Sequence, residues 1–226
     1  MTELIVALDF PELEPALKLV DAAGDSVTWY KVGKQLFTLC GPQVISELKA
    51  RGKKVFLDMK YHDIPNTVGG AVRSAARIGA DIINVHASGG PEMLKAAADA
   101  ARETGKIVIA VTVLTSMDAS SLAAIGVNAT PEEQVVRLAK LTQAAGLAGV
   151  VCSPLELNAI HKNCGNDFLT IVPGIRPAGA AIGDQKRVMT PRMAAEAGAS
   201  YIVVGRPITA ASDPCEAARA ILAELK

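Results

Sequence analysis

Four charged residues at or near the ends of predicted strands have the types and spacing needed for proton transfer. They are Asp9, Lys31, Asp58 and Lys60. Side chains alternate across a strand, so Asp58 and Lys60, two positions apart, point to the same face. Because an unpaired buried charge is costly, groups that alternate in sign stabilise one another. Such an array would leave a lysine placed to donate a proton.

Each of these charges has an ordinary explanation when it is taken alone. A strand-end residue can touch water, and an ion pair can stabilise the end of a sheet without any chemistry. Four charges on the first three strands, two of them lysines within aliphatic runs, favour a functional array instead. Asp63 adds a further carboxylate in a predicted loop shortly after Asp58.

Eight aliphatic runs follow one another along the chain, and most are separated by enough residues for one helix and two loops. This rhythm is typical of parallel strands joined by helices, and it predicts an α/β protein. The runs are Leu4–Leu8, Trp29–Val32, Val55–Leu57, Ile82–Val85, Ile107–Val113, Gly149–Val151, Leu169–Val172 and Tyr201–Val204.

Eight such units favour a closed (β/α)8 TIM barrel that forms one catalytic domain over residues 1–226. An open doubly wound sheet is the competing fold, and it usually carries fewer strands. No Gly-x-Gly-x-x-Gly follows the first run, so the dinucleotide-binding version of that sheet loses its main support. In a barrel, the carboxyl ends of the strands build the active site, and the four charges lie there.

Helix-start signals fall in the intervals between the runs. Thr130–Glu133 offers a capping threonine, a proline at the first helical position and a glutamate at the third. Thr190 and Pro191 open a later helix in the same way. The interval Asp118–Gly146 has room for an additional short helix. The interval Gly174–Met189, rich in Gly, Ala, Arg and Pro, predicts a long functional loop.

The composition argues against nucleic-acid and membrane partners. The 226 residues include 23 Lys and Arg and 23 Asp and Glu, so the formal net charge is zero. No apolar run approaches the ~18 residues of a membrane span, and no charged leader with a cleavage site follows Met1. The four scattered cysteines predict reduced thiols rather than a metal site. We therefore expect a cytoplasmic protein.

The segment from Asp58 to Thr67 carries a specific resemblance. Asp58-x-Lys60-x-x-Asp63 followed by Ile64-Pro65-Asn66-Thr67 resembles the signature of the orotidine 5′-monophosphate decarboxylases of the bacterial type. Further segments in the family's order extend the resemblance over essentially the whole chain. They are Leu8-Asp9-Phe10, Lys31-Val32-Gly33, Val85-His86-Ala87, Val172-Pro173-Gly174-Ile175-Arg176 and Val204-Gly205-Arg206-Pro207-Ile208.

The resemblance implies decarboxylation of orotidine 5′-monophosphate to UMP in de novo pyrimidine biosynthesis, without a metal or another cofactor. Lys60 would donate a proton to C6 of the pyrimidine as carbon dioxide leaves. Asp58, Asp63 and Lys31 would complete an alternating charge network. Decarboxylation leaves a carbanion with no good electron sink, so a nearby cation and the exclusion of water suit this chemistry.

The resemblance also implies a homodimer with shared active sites. Asp63, Ile64 and Thr67 would then serve the site of the partner subunit. Within one chain, Asp9 and Lys31 would bind the ribose hydroxyls.

A hydroxyl after the fifth strand would hold the amide edge of the pyrimidine. The resemblance assigns this contact to Thr115, with the neighbouring Ser116 as the alternative. The phosphate would be bound by Gln185, Arg206 and the backbone at Gly205, with Arg176 beside them. Barrels usually bind phosphate after their last two strands, arginine contacts phosphate in a bidentate manner, and glycine lets backbone N–H groups approach.

Other chemistries stay open on the residues alone. A related barrel decarboxylase that acts on a keto-sugar phosphate with magnesium shares Asp-x-Lys-x-x-Asp. The run Ile64–Thr67 and the pairing of Gln185 with Arg206 favour the nucleotide enzyme over it. A non-catalytic phosphate-binding barrel is the alternative of a different class, and it would have no use for a proton donor at Lys60.

A metal site at the strand ends is a further alternative. His62 and His86 could bind a metal together with Asp58, as in sugar-phosphate epimerases of the same fold. Such sites need several histidine and carboxylate ligands, and the first strand offers Asp9 rather than a histidine. His86 is instead predicted to be a polar packing residue at the end of the fourth strand.

Overall fold

The protein folds as a closed barrel of eight parallel strands, in a computed structural model that describes residues 1–177 and 189–225. The strands follow chain order around the barrel, and the first pairs with the eighth to close it. They are β1 (Glu3–Ala7), β2 (Trp29–Gly33), β3 (Lys54–Tyr61), β4 (Ile82–His86), β5 (Ile107–Val111), β6 (Gly149–Val151), β7 (Leu169–Val172) and β8 (Tyr201–Val204). The predicted (β/α)8 barrel is confirmed, and an open sheet is ruled out.

Helices alternate with these strands, and every strand is followed by at least one helix. Within the described ranges they are α1 (Leu13–Ala23), α2 (Lys34–Cys40), α3 (Gln43–Ala50), α4 (Pro65–Arg77), α5 (Gly90–Thr104), α6 (Ala119–Ala124), α7 (Pro131–Ala144), α8 (Leu157–Cys164), α9 (Pro191–Glu196), α10 (Arg206–Thr209) and α11 (Pro214–Glu224). The additional short helix predicted between β5 and β6 is α6.

Two of the predicted helix starts are seen in detail. The hydroxyl of Thr130 accepts a hydrogen bond from the backbone N–H of Glu133, and the Glu133 carboxylate accepts one from the N–H of Thr130. This reciprocal capping box begins α7. Thr190 caps α9 through the N–H of Met193.

The barrel has an inner and an outer apolar layer, because alternate residues of each strand face opposite sides. The larger layer lies between the strands and the helices and includes Leu4, Val6 and Leu8. The inner layer consists of Ile5, Ala7, Trp29, Phe56, Ile82, Ile109, Ile171, Tyr201 and Val203. Lys31 follows Trp29 by two positions and therefore shares its inward face.

Aromatic and charged side chains fill the amino end of the barrel. The rings of Trp29 and Tyr201 meet edge to face with centroids 5.6 Å apart. The indole Nε1 of Trp29 donates to the Glu3 carboxylate over 2.9 Å, and the Lys54 ammonium lies 5.0 Å from the centre of the indole. These side chains fill the interior at the amino end of the barrel. Open space for inward-facing charged residues such as Lys31 is therefore found at the carboxyl end.

The pairing of β3 with β4 is irregular at the predicted charged residues. Leu57 pairs with Ile83, but the next pair is Tyr61 with Val85. Residues 58–60 of β3 therefore lie opposite a single residue of β4, which is an extended β-bulge. The sequence predicted a regular strand here.

The long interval predicted as a functional loop is described only at its ends. Ile175 and Met189 form an isolated parallel bridge, so the two ends of the interval lie side by side. Residues 178–188, among them Gln185, lie outside the described residues. No helix in the described ranges is long and apolar enough to cross a membrane. The cytoplasmic location stays a prediction.

Candidate active site

The predicted charges form a continuous row across the carboxyl ends of the first three strands. Lys31 Nζ lies 2.9 Å from Asp9 Oδ1 and 3.4 Å from Asp58 Oδ2. Lys60 Nζ lies 2.5 Å from Asp58 Oδ1. The order Asp9, Lys31, Asp58, Lys60 alternates in sign along the whole row, so each inner charge has a partner of opposite sign on both sides.

The two inner members of the row are largely shielded from solvent. The side chains of Lys31 and Asp58 are 12% and 13% exposed, whereas that of Asp9 is 64% exposed. Burial by itself raises the pKa of Asp58, but the charges of Lys31 and Lys60 and the hydrogen bonds to this carboxylate outweigh burial and lower the pKa. Burial likewise opposes the charge of Lys31, but Asp58 and Asp9 raise its pKa overall. Both groups are therefore ionised at neutral pH.

Asn84 joins this row from β4 and was missed by the sequence reasoning. It is fully buried. Its Nδ2 donates to Asp58 Oδ1 over 2.7 Å, and its Oδ1 accepts the backbone N–H of Lys60 over 2.7 Å. The signal that could have revealed it was a single amide side chain within the aliphatic run Ile82–Val85. A polar residue in a buried strand needs hydrogen-bond partners, and Asp58 lies on the neighbouring strand.

A cavity of about 190 Å³ opens above the lysines. One wall is polar and is formed by Lys31, Asp58 and Lys60, with Thr115 also in the lining. The other walls are mostly apolar. They include Phe56, Val111, Val113, Leu114, Val151, Cys152, Ile171, Pro173 and Val203. Of the two hydroxyl candidates, Thr115 lines this cavity and Ser116 is not among the lining residues.

A second cavity of about 290 Å³ lies beside the first and shares Lys31, Pro173 and Val203 with it. Asp9 lines this second cavity, together with three residues that were predicted to bind phosphate. They are Arg176, Gly205 and Arg206. Burial and the nearby charge of Arg206 lower the pKa of the Arg176 guanidinium. Two cations so placed favour an anion between them.

Three residues assigned to a shared site line neither of the two cavities of their own chain. Asp63, Ile64 and Thr67 are exposed, and none of them lines either cavity. Ile64 is 66% exposed. The Asp63 carboxylate accepts the backbone N–H of Ile64 over 2.6 Å. Their assignment to the site of a partner subunit stays a prediction.

Two histidines, His62 and His86, lie next to each other near the charged row. The rings of His62 and His86 are 5.6 Å apart. Burial, followed by the nearby His62, Lys34 and Lys60, lowers the pKa of His86. In residues 1–177 and 189–225, no group of three or more His, Cys, Asp or Glu side chains is arranged to hold a metal ion.

Comparison with known proteins places the chain in a family. A family model described as "Orotidine 5'-phosphate decarboxylase / HUMPS family" matches residues 2–221. The chain belongs to this family. The resemblance first read from Asp58 to Thr67 is thereby confirmed at the level of the family.

Relatives with assigned names are similar over nearly their full length. A protein of Halorhodospira halophila named orotidine 5'-phosphate decarboxylase is 56% identical over 224 residues, covering 98% of this chain and 95% of the relative. One of Moorella thermoacetica with the same name is 52% identical, covering 99% and 92%. The crystal structure of orotidine 5'-phosphate decarboxylase from Lactobacillus acidophilus has a TM-score of 0.89 and 42% identity, with 100% of both chains covered.

Proposed function

We propose that this protein decarboxylates orotidine 5′-monophosphate to UMP in de novo pyrimidine biosynthesis, without a metal or another cofactor. The observation that carries the proposal is the Asp58–Lys60 pair in a cavity that joins an arginine-lined cavity through Lys31. The shared name of relatives at 52% and 56% identity gives independent support. The eight strands belong to one closed sheet, which supports a single catalytic domain.

The two cavities match the two ends of a nucleotide. The pyrimidine occupies the cavity of about 190 Å³, where apolar walls face the ring and Thr115 meets its amide edge. The phosphate occupies the neighbouring cavity against Arg176, Arg206 and the backbone at Gly205. Gln185, which lies outside the described residues, is proposed to complete this phosphate site. Asp9 and Lys31 lie between the two ends, where the ribose hydroxyls would be bound.

The charge row supplies what the reaction needs at the pyrimidine. The bond from C6 to the carboxylate breaks, carbon dioxide leaves, and the electron pair stays on C6. The Lys60 ammonium stabilises this negative charge and then transfers a proton from Nζ to C6, which yields UMP. The neutral amine regains its proton from water after product release. The carboxylate of Asp58 holds Lys60 beside the reacting carbon, and Lys31 keeps Asp58 ionised.

The site is proposed to be completed by a second subunit. Asp63, Ile64 and Thr67 do not line the cavities of their own chain and are exposed near the start of α4. In a homodimer they would reach the site of the partner, where Asp63 would add a second carboxylate to the charge network. The exposed fraction of Ile64 supports this role, because burial against a partner would remove its apolar surface from water.

The deciding experiment follows the loss of orotate absorbance when the purified protein meets orotidine 5′-monophosphate in the presence of EDTA. The wild type is expected to form UMP. Lys60→Ala is expected to lose at least about 1000-fold in kcat, because it removes both the proton donor and its charge. Lys49→Ala is the matched control: it removes a lysine whose partner is Asp81, outside both cavities, and should keep wild-type activity.

The other outcomes separate the alternatives. Turnover of a keto-sugar phosphate that needs magnesium, with none of the nucleotide, would overturn the proposal in favour of the sugar-phosphate decarboxylase. Tight UMP binding without any turnover would instead indicate a non-catalytic phosphate-binding barrel. Conversion by Lys60→Ala at the wild-type rate would reject Lys60 as the proton donor.

A further inference from the structure

The backbone of Lys60 has a conformation that lysine rarely adopts. Its φ angle is +54°, and within the described ranges Lys60 is the only residue other than glycine with a positive φ. The left-handed region crowds the Cβ atom, so such a residue persists only where its surroundings hold it. The question is which contacts hold Lys60 there.

Asn84 lies where the regular pairing of β3 and β4 is interrupted. Between the pairs Leu57–Ile83 and Tyr61–Val85, three residues of β3 face this one residue of β4. A bulge withdraws backbone groups from the ladder, and a buried N–H group without a partner is costly. The side-chain carbonyl of Asn84 accepts the N–H of Lys60 over 2.7 Å and thus replaces a ladder hydrogen bond.

The other half of the same amide binds the carboxylate that orients the lysine. Asn84 Nδ2 donates to Asp58 Oδ1 over 2.7 Å, and that oxygen also accepts Lys60 Nζ over 2.5 Å. The amide therefore fixes the main chain of Lys60 on one side and the partner of its ammonium on the other. Asn84 is fully buried and lies behind the lining of the first cavity.

We propose that Asn84 is a positioning residue, whose amide holds the backbone of Lys60 and the carboxylate of Asp58 so that the lysine ammonium faces the cavity. The inference deepens the proposed decarboxylase function and rests on that function for its kinetic test. Asn84 acts through Asp58 and Lys60 and does not contact the substrate. The role requires one donor and one acceptor on a short side chain, which explains an amide within an aliphatic strand.

Two substitutions at position 84 separate shape from hydrogen bonding. Asn84→Leu keeps about the same size and removes both the donor and the acceptor. We expect kcat for orotidine 5′-monophosphate to fall about 100-fold, because the proton donor is misplaced. KM is expected to change by less than about threefold, since the phosphate cavity is untouched. Thr170→Val is the matched control: it removes a buried hydrogen bond to Ser200 from the wall of the same barrel and should leave kcat unchanged.

Asn84→Asp gives a readout that a loss of packing would not produce. The ionised carboxylate cannot donate and repels Asp58, but the protonated carboxyl offers one donor and one acceptor, like the amide. The ratio of variant to wild-type kcat should therefore rise as the pH is lowered. Asp58, Lys60, Lys31 and His86, with His62 and Lys34 beside His86, are titratable groups near this position. They are present in both proteins, so the ratio reports mainly on residue 84.

A crystal structure of Asn84→Leu tests the inference without relying on activity. We expect residue 60 to leave the left-handed region or its ammonium to move away from Asp58. Retention of both features, or an unchanged kcat beside an active wild type, would overturn the role of Asn84. An inactive wild type would instead overturn the proposed function, while the crystal structure still decides the role of Asn84. If Asn84→Leu does not fold, the pH response and crystal structure of Asn84→Asp decide it.

Discussion

Asp58 is the residue on which both lysines of the site converge. Each of its carboxylate oxygens faces a different ammonium, and Asn84 adds a hydrogen bond to one of them. Removal of this carboxylate would leave two partly buried lysines that repel each other. The contacts that are proposed to prepare the site for catalysis therefore also contribute to the stability of the fold.

The lowered pKa of Asp58 predicts a specific pH dependence of stability. A carboxyl whose pKa is lower in the folded state than in the unfolded state stabilises the fold at pH values above its ordinary pKa of 3.8. This contribution is lost as the pH falls below 3.8 and through the lowered pKa of the folded state. Asp58→Asn should therefore lower the free energy of unfolding by about 3 kcal/mol at neutral pH, and by progressively less below pH 3.8.

Urea denaturation of both proteins across this pH range measures the difference. The control is Asp25→Asn, since Asp25 is fully exposed and lies outside both cavities, so its replacement should leave the free energy of unfolding nearly unchanged. A difference for Asp58→Asn that stays constant down to the lowest pH would contradict the lowered pKa.

At the scale of elements, the strands could be predicted because nearly all of their residues serve to bury apolar side chains. Parallel strands buried on both faces are continuous aliphatic runs, and the eight runs became β1 to β8. Their ends moved by at most two residues, except that β3 extends four residues beyond the predicted run, to Tyr61. The capping residues Thr130 and Thr190 likewise act locally, through groups three positions away. Local rules suffice for such features.

The bulge in β3 could not be predicted by the same rules. Alternation along a strand placed Asp58 and Lys60 on one face, and the two residues do form an ion pair. However, lysine has no preference for positive φ, so nothing in residues 58–60 indicates the left-handed backbone. The irregularity depends on Asn84, which lies 24 positions further along the chain. The roles of Asp63, Ile64 and Thr67 also stay predictions, since a second subunit would be needed to display them.

The close packing of β6 against β7 makes a prediction about one glycine. A Cβ atom on Gly149 would lie 2.1 Å from the carbonyl oxygen of Leu169, and this atom belongs to the backbone of the paired strand. Gly149→Ala should therefore lower the free energy of unfolding by at least about 3 kcal/mol, because the two strands must separate locally. Urea denaturation measures the effect, and a loss below about 0.5 kcal/mol would show that the strands adjust without strain.

At the scale of the whole molecule, the proposed dimer can be tested by complementation. Lys60→Ala and Asp63→Asn chains should each be inactive alone. If the sites are shared, a mixed dimer has one site with both changes and one intact site. After full subunit exchange, half of the dimers are mixed, so about a quarter of the wild-type activity should return.

A second mixture serves as the control for this experiment. Lys60→Ala and Asp58→Asn both alter the same cavity of one chain, so each site of their mixed dimer carries one change and no activity should return. Absence of recovery with Lys60→Ala and Asp63→Asn, despite demonstrated exchange of subunits, would reject the shared site.

The closure of the barrel between β1 and β8 has a consequence for how the site comes into being. Residues beyond β1, β7 and β8 line the arginine-rich cavity, whereas the other cavity draws mainly on β2, β3, β5 and β6. Both cavities also include Pro173, which follows β7, and Val203 of β8. During synthesis, neither half of the proposed site is therefore complete before β8 has been made. A nucleotide that binds across both halves, as proposed, would contact residues that follow the first and the eighth strands, and its binding would therefore stabilise the pairing of these two strands.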